Sequence, residues 1–98
     1  MHDVTKMTFF HHLCELPFVE KIILFGSRAR QTHRNRSDID LAVQCPSATR
    51  DDWLKVVDIV EKADTLLKID CVRLDDLSKS NLFRQQIEVD GQIIYEKK

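Results

Sequence analysis

Apolar side chains recur along this chain at helical spacing, in an unbroken run and in alternation, and each rhythm predicts a different element. From Val4 to Leu16, Met7, Phe9, Phe10, Leu13 and Leu16 lie mostly three or four apart, which predicts an amphipathic helix followed by Pro17. Val19 to Phe25 contains the run Ile22-Ile23-Leu24-Phe25 and is closed by Gly26, the pattern of a strand buried on both faces. Ser27 to Ser37 is polar and basic and predicts a short helical turn, then a loop. Asp38 to Val43 alternates before becoming wholly apolar, so it predicts a second strand paired with the first and ended by Pro46. Thr49 has an acid three residues on at Asp52, a capping box, and Trp53, Val56, Val57 and Val60 continue at helical spacing. Leu66 to Leu74 alternates again, with Leu67, Ile69 and Cys71 on one face and Lys68, Asp70 and Val72 on the other. Ser80 to Val89 predicts a helix with Leu82, Phe83 and Ile87 inward, stopped at Asp90-Gly91, and Gln92 to Tyr95 a short last strand.

The order is helix, strand, turn, strand, helix, strand, helix, strand, with no repeat, low-complexity tract or linker. An α+β fold is expected: a small mixed sheet of about four strands with helices packed on one side, as one domain over residues 1–98. A chain of 98 residues buries about two thirds of its unfolded surface, enough for one core. Apolar residues at 43% supply that core.

Charge narrows the partners. Fifteen Lys or Arg against 16 Asp or Glu leave a net −1, so no global field favours nucleic acid or a membrane. No apolar run reaches the length of a membrane span, and Met1-His2-Asp3 does not begin a signal peptide, so a cytoplasmic protein is expected. Cys14, Cys45 and Cys71 lack CxxC spacing and are expected as buried thiols. The balanced total hides segregation, because Lys21 to Arg36 holds five cations and no acid immediately before an acidic pair.

That pair is Asp38 and Asp40. Two residues apart on a strand, they project from one face, and two close carboxylates repel unless a cation lies between them. A hard divalent ion such as Mg²⁺ answers that need. Just upstream, Gly26 permits close approach to a ligand, the Ser27 hydroxyl can donate to a phosphate oxygen, and Arg28 offers a planar cation. Asp70, mid-strand among apolar residues, needs a metal or a donor to offset its burial. His11 and His12 are neighbours on a helix, face different directions and are expected at the surface.

Gly26-Ser27-Arg28-Ala29-Arg30 and Ser37-Asp38-Ile39-Asp40-Leu41 together resemble the signature of the DNA polymerase β nucleotidyltransferase superfamily, and the chain is similar to its minimal nucleotidyltransferases. Gln31 departs from the pattern, standing where many members carry Gly. The resemblance implies Asp38, Asp40 and Asp70 as catalytic and metal-binding residues. It implies Gly26, Ser27, Arg28 and Arg30 as the nucleotide-binding set, Arg30 pairing with a nearby carboxylate. Two Mg²⁺ ions and ATP as substrate are implied. An acceptor hydroxyl would attack the α-phosphate and release pyrophosphate.

Such chains are commonly encoded beside a helical HEPN protein as toxin–antitoxin pairs, so the resemblance also implies an antitoxin that moves AMP onto a tyrosine of a HEPN ribonuclease, forming a hetero-oligomer with it. Two alternatives stand beside that: a non-catalytic module that neutralises its partner by binding, and a nucleotidyltransferase acting on a small molecule. No basic surface long enough to follow a nucleic acid is evident, so no direct nucleic-acid contact is expected.

Overall fold

The structure, a computed structural model, describes residues 4–26, 29 and 38–98. A 3-10 turn, Val4–Lys6, leads into α1, Thr8–Glu15; then come β1, Lys21–Phe25, β2, Ile39–Gln44, and α2, Arg50–Glu61. β3, Ile69–Arg73, runs into a second 3-10 turn, Leu74–Asp76, and α3, Leu82–Asp90, precedes β4, Gln92–Glu96. The sheet order is β3-β2-β1-β4. β1 pairs antiparallel with β2 and β4, while β2 and β3 run parallel, so the sheet is mixed as expected.

The first helix is shorter than its apolar pattern predicts, because the chain breaks at Met7, whose N–H bonds to the Val4 carbonyl at 3.0 Å. At about 100° per residue a continuous helix would point Val4 nearly opposite Phe9, Phe10 and Leu13. The break turns Val4 inward, and all four are buried.

β1 is buried on both faces, as its apolar run requires. Ile22 and Leu24 join Ile39, Leu41 and Val43 of β2 under α1 and α2, in a core completed by Phe9, Phe10, Leu13 and Val56. Ile23 points the other way, into a smaller cluster with Ala42, Leu74 and Ile87. Of the described helices, α1 and α2 therefore share one face, while α3, against the expectation of helices on one side, rests on the other through Ile87.

The capping box forms as predicted: Thr49 accepts from the Asp52 N–H at 3.1 Å, and Asp52 accepts from the Thr49 N–H at 3.0 Å. Trp53 packs at the edge of the main core. The prediction for α3 needs correction. Leu82 is 80% exposed and Phe83 is 46% exposed, its ring packed T-shaped with Phe25 at a centroid distance of 5.7 Å. Asn81 caps this helix by accepting from the Arg84 N–H at 3.1 Å, and Ile87 is the residue of the helix that is buried. Gly91 ends α3 in ordinary extended backbone; a Cβ there would strike the Ile87 carbonyl and the Ile23 side chain, so glycine is required for close packing.

No helix among the described residues is long and apolar enough to cross a membrane. The three cysteines are free, Cys45 buried and Cys14 and Cys71 half-buried.

Candidate active site

The parallel pairing of β2 with β3 decides what the carboxylates can do together. Residues paired across neighbouring strands project from the same face. Asp40 is paired with Asp70, so these two acids, 30 positions apart in sequence, stand side by side. They occupy the face of Ile23 and Ala42, which α3 covers only in part. Asp38 lies two residues before Asp40, exposed at the mouth of β2. Alternation in β2 sends Ile39 and Leu41 into the core, leaving the aspartates for the open face.

Gly26 closes the site from the β1 side. Phe25 is opposite Asp40, and the chain turns immediately afterwards with Gly26 at φ +74°, a left-handed conformation that side chains rarely adopt. The Asp40 carboxylate fills the space where a Cβ on residue 26 would sit, one oxygen overlapping that position and Cγ 3.3 Å from it. The glycine therefore both makes the turn and admits the carboxylate.

Asp70 differs from the sequence expectation in its surroundings. Its side chain is 46% exposed, so its apolar neighbours do not wall it in. Alternation explains this: Ile69 and Cys71 turn to the core while Asp70 faces outward on an edge strand. Burial, then the charge of nearby Cys45, pushes the Cys71 thiol up to about 12. One strand thus carries a thiol turned to the core and a carboxylate open to solvent on adjacent residues.

Lys68 was visible in the alternation but not singled out. Its ammonium lies 3.7 Å from Asp70 Oδ1, and its carbonyl accepts the Ile39 N–H at 2.9 Å, which sets β3 against the start of β2. Ser27, Arg28 and Arg30 lie outside the described residues, as do Arg34 and Arg36. Lys21, the remaining cation of that basic stretch, sits at the far end of β1 and pairs with Glu96 at 3.8 Å, away from the aspartates. His11 is exposed and contacts the Thr5 carbonyl through Nε2 at 2.9 Å, in keeping with a surface residue.

Carboxylate oxygens on adjacent strands suit a hard divalent cation in donor type and in register. Among the described residues, however, no three His, Cys, Asp or Glu side chains are already gathered closely enough to hold one.

A mixed four-stranded sheet that brings acids from adjacent strands together beside a left-handed glycine places the chain among small α+β nucleotidyltransferases. The family described as Polymerase beta, Nucleotidyltransferase matches residues 11–98, and the chain belongs to it. Three solved structures are similar. A toxin–antitoxin with AMP-PNP superposes with a TM-score of 0.70 at 28% identity, covering 92% of this chain and 73% of that one. In a MntA-HpeT toxin–antitoxin mutant, two aspartates separated by one residue are changed to glutamate; the TM-score is 0.67 at 28% identity, covering 91% and 71%. A second MntA-HpeT mutant, with a tyrosine changed to alanine, gives a TM-score of 0.69 at 25% identity, covering 100% and 76%. Comparison with curated proteins returns no match.

Proposed function

We propose that this chain is the antitoxin of a toxin–antitoxin pair and transfers AMP from ATP to a hydroxyl of its partner, a HEPN-type helical ribonuclease. The observation that carries this is the register of Asp40 against Asp70, with Asp38 beside them and Gly26 leaving room for the Asp40 carboxylate. Support for ATP comes from the AMP-PNP in a related complex, and support for a protein partner from the toxin–antitoxin assemblies that resemble this chain. A tyrosine hydroxyl of the partner is the acceptor in this reading.

Asp38, Asp40 and Asp70 would hold Mg²⁺, two ions in the full site. When bound, Mg²⁺ neutralises phosphate charge and favours departure of pyrophosphate. In the transfer, the acceptor oxygen forms a bond to the α-phosphorus while the bond from that phosphorus to the bridging oxygen breaks, and pyrophosphate leaves. Asp70, open to solvent on an edge strand, would take the acceptor proton in this reading. Gly26, Ser27 and Arg28 would bind the departing phosphates, and Arg30 would pair with a nearby carboxylate. The half-open face beside β3 leaves the acceptor side to the partner.

The test pairs transfer with neutralisation. The chain, its co-encoded partner, Mg²⁺ and ATP labelled at the α-phosphate are incubated, and label on the partner is measured beside its ribonuclease activity. Wild type labels and silences the partner, whereas Asp40→Ala does neither. Neutralisation by Asp40→Ala equal to wild type would instead support a masking module.

A further inference from the structure

Lys68 is the cation that lies against Asp70 on the carboxylate face. Hydrogen bonding of its carbonyl to Ile39 sets it level with Asp38, just before β3 and two residues from Asp70 of the Asp40–Asp70 pair. Its side chain is 69% exposed, yet the ammonium turns back to lie 3.7 Å from Asp70 Oδ1 rather than extending into water. Lys68 and Asp70 are two apart on a strand and share its outward face, so backbone geometry enforces their proximity. A lysine ammonium is a compact point charge on a flexible stem, able to stand in for an ion and to withdraw from it.

We propose that Lys68 is a tethered counter-ion of the metal site: it occupies the Asp70 oxygen that a divalent cation needs, and the cation binds only by displacing it. This rests on the assignment of Asp38, Asp40 and Asp70 as the metal-binding set. Lys68 is thus a positioning residue that acts through Asp70. It offsets the charge of Asp70 and lowers the affinity of the site for a bare cation.

The test titrates Mn²⁺ into the full chain without nucleotide, reading affinity by calorimetry, for wild type, Lys68→Gln, Lys68→Arg, Asp70→Asn and Lys55→Gln. Lys55 lies on α2 and pairs with Asp52, so it controls for the loss of one surface charge. Lys68→Gln should bind about fivefold more tightly, the factor carried by one charge pair at about 4 Å in water, while Lys68→Arg and Lys55→Gln stay at the wild-type value. Unchanged or weaker binding by Lys68→Gln, with Asp70→Asn abolishing binding, overturns the counter-ion role and leaves the carboxylate site standing. Wild-type binding by Asp70→Asn overturns the site itself, and the two failures are thereby distinguished. Circular dichroism checks that each variant folds, which the exposure of Lys68 favours.

Discussion

Replacing Gly26 by alanine adds one methyl group at the point where fold and site meet. The residue is at φ +74°, and placing a side chain in that conformation costs about 1–2 kcal/mol. The new Cβ also overlaps an Asp40 carboxylate oxygen, while the Asp40 Cβ at 3.5 Å stays in ordinary contact. Only the end of the aspartate must therefore move, by an off-rotamer rotation costing about 1 kcal/mol. At about 4–8 °C per kcal/mol for a domain of this size, a loss of about 2–3 kcal/mol lowers Tm by about 10–20 °C and leaves the protein folded at 25 °C. Transfer suffers far more, because displacing a reacting group by about 1 Å can cost about 100-fold in rate. Gly26→Asn separates the two effects: asparagine tolerates left-handed backbone and recovers part of the Tm, but it carries the same Cβ and recovers no activity. Thermal melts and single-turnover transfer rates measure both. An alanine variant with wild-type Tm and wild-type rate would refute the placement of Asp40 against Gly26.

Three further outcomes follow from the same structure. Arg73 donates to the Cys45 and Ala48 carbonyls, each at 2.9 Å, while its Nε is buried without a hydrogen bond, 3.9 Å from Asp75. Arg73→Leu should cost about 2–4 kcal/mol in urea unfolding through the orphaned carbonyls, and a double-mutant cycle with Asp75→Asn should show coupling below about 1 kcal/mol. Burial raises the folded-state pKa of Cys71 to about 12, above its unfolded value near 9, so its contribution is complete below about pH 9 and is lost as pH rises from there toward 12. Cys71→Ala should flatten that alkaline limb, and a limb of unchanged slope would count against a thiol turned to the core. Thr49→Ala removes the cap of α2 and should destabilise by about 1 kcal/mol. The Thr49 N–H holds the Asp52 carboxyl below its usual range, so stability from that bond is present above the usual carboxylate pKa and is lost as pH falls through the lowered one. An acid melt of Asp52→Asn against wild type checks it.

Most elements were legible because their signals are local. The Thr49–Asp52 box, the apolar run at Ile22–Phe25 and the alternation around Asp70 each need only a few neighbouring residues to read. The side-by-side placement of Asp40 and Asp70 was legible only as a family likeness, since strand register depends on the whole β2–α2–β3 crossover. The inward assignment of Leu82 and Phe83 failed because periodicity names an apolar face without saying how much surface exists to cover it. Here Ile23, Ala42 and Leu74 offer a patch that Ile87 fills. The Val4 break was hidden because a 3-10 turn changes helical phase without any Gly or Pro to mark it. Arg73 was likewise invisible, its partners being backbone carbonyls 25 and 28 residues away.

The central claim is transfer, and the mass of the partner reports it most directly. The co-encoded partner is incubated with this chain, Mg²⁺ and ATP, and its intact mass is read by mass spectrometry beside an otherwise identical reaction with Asp40→Asn. Wild type should add one or more whole AMP units, located on a hydroxyl side chain and removed by phosphodiesterase, while Asp40→Asn adds none. A partner of unaltered mass that is nevertheless silenced would contradict catalysis and leave binding alone as the function.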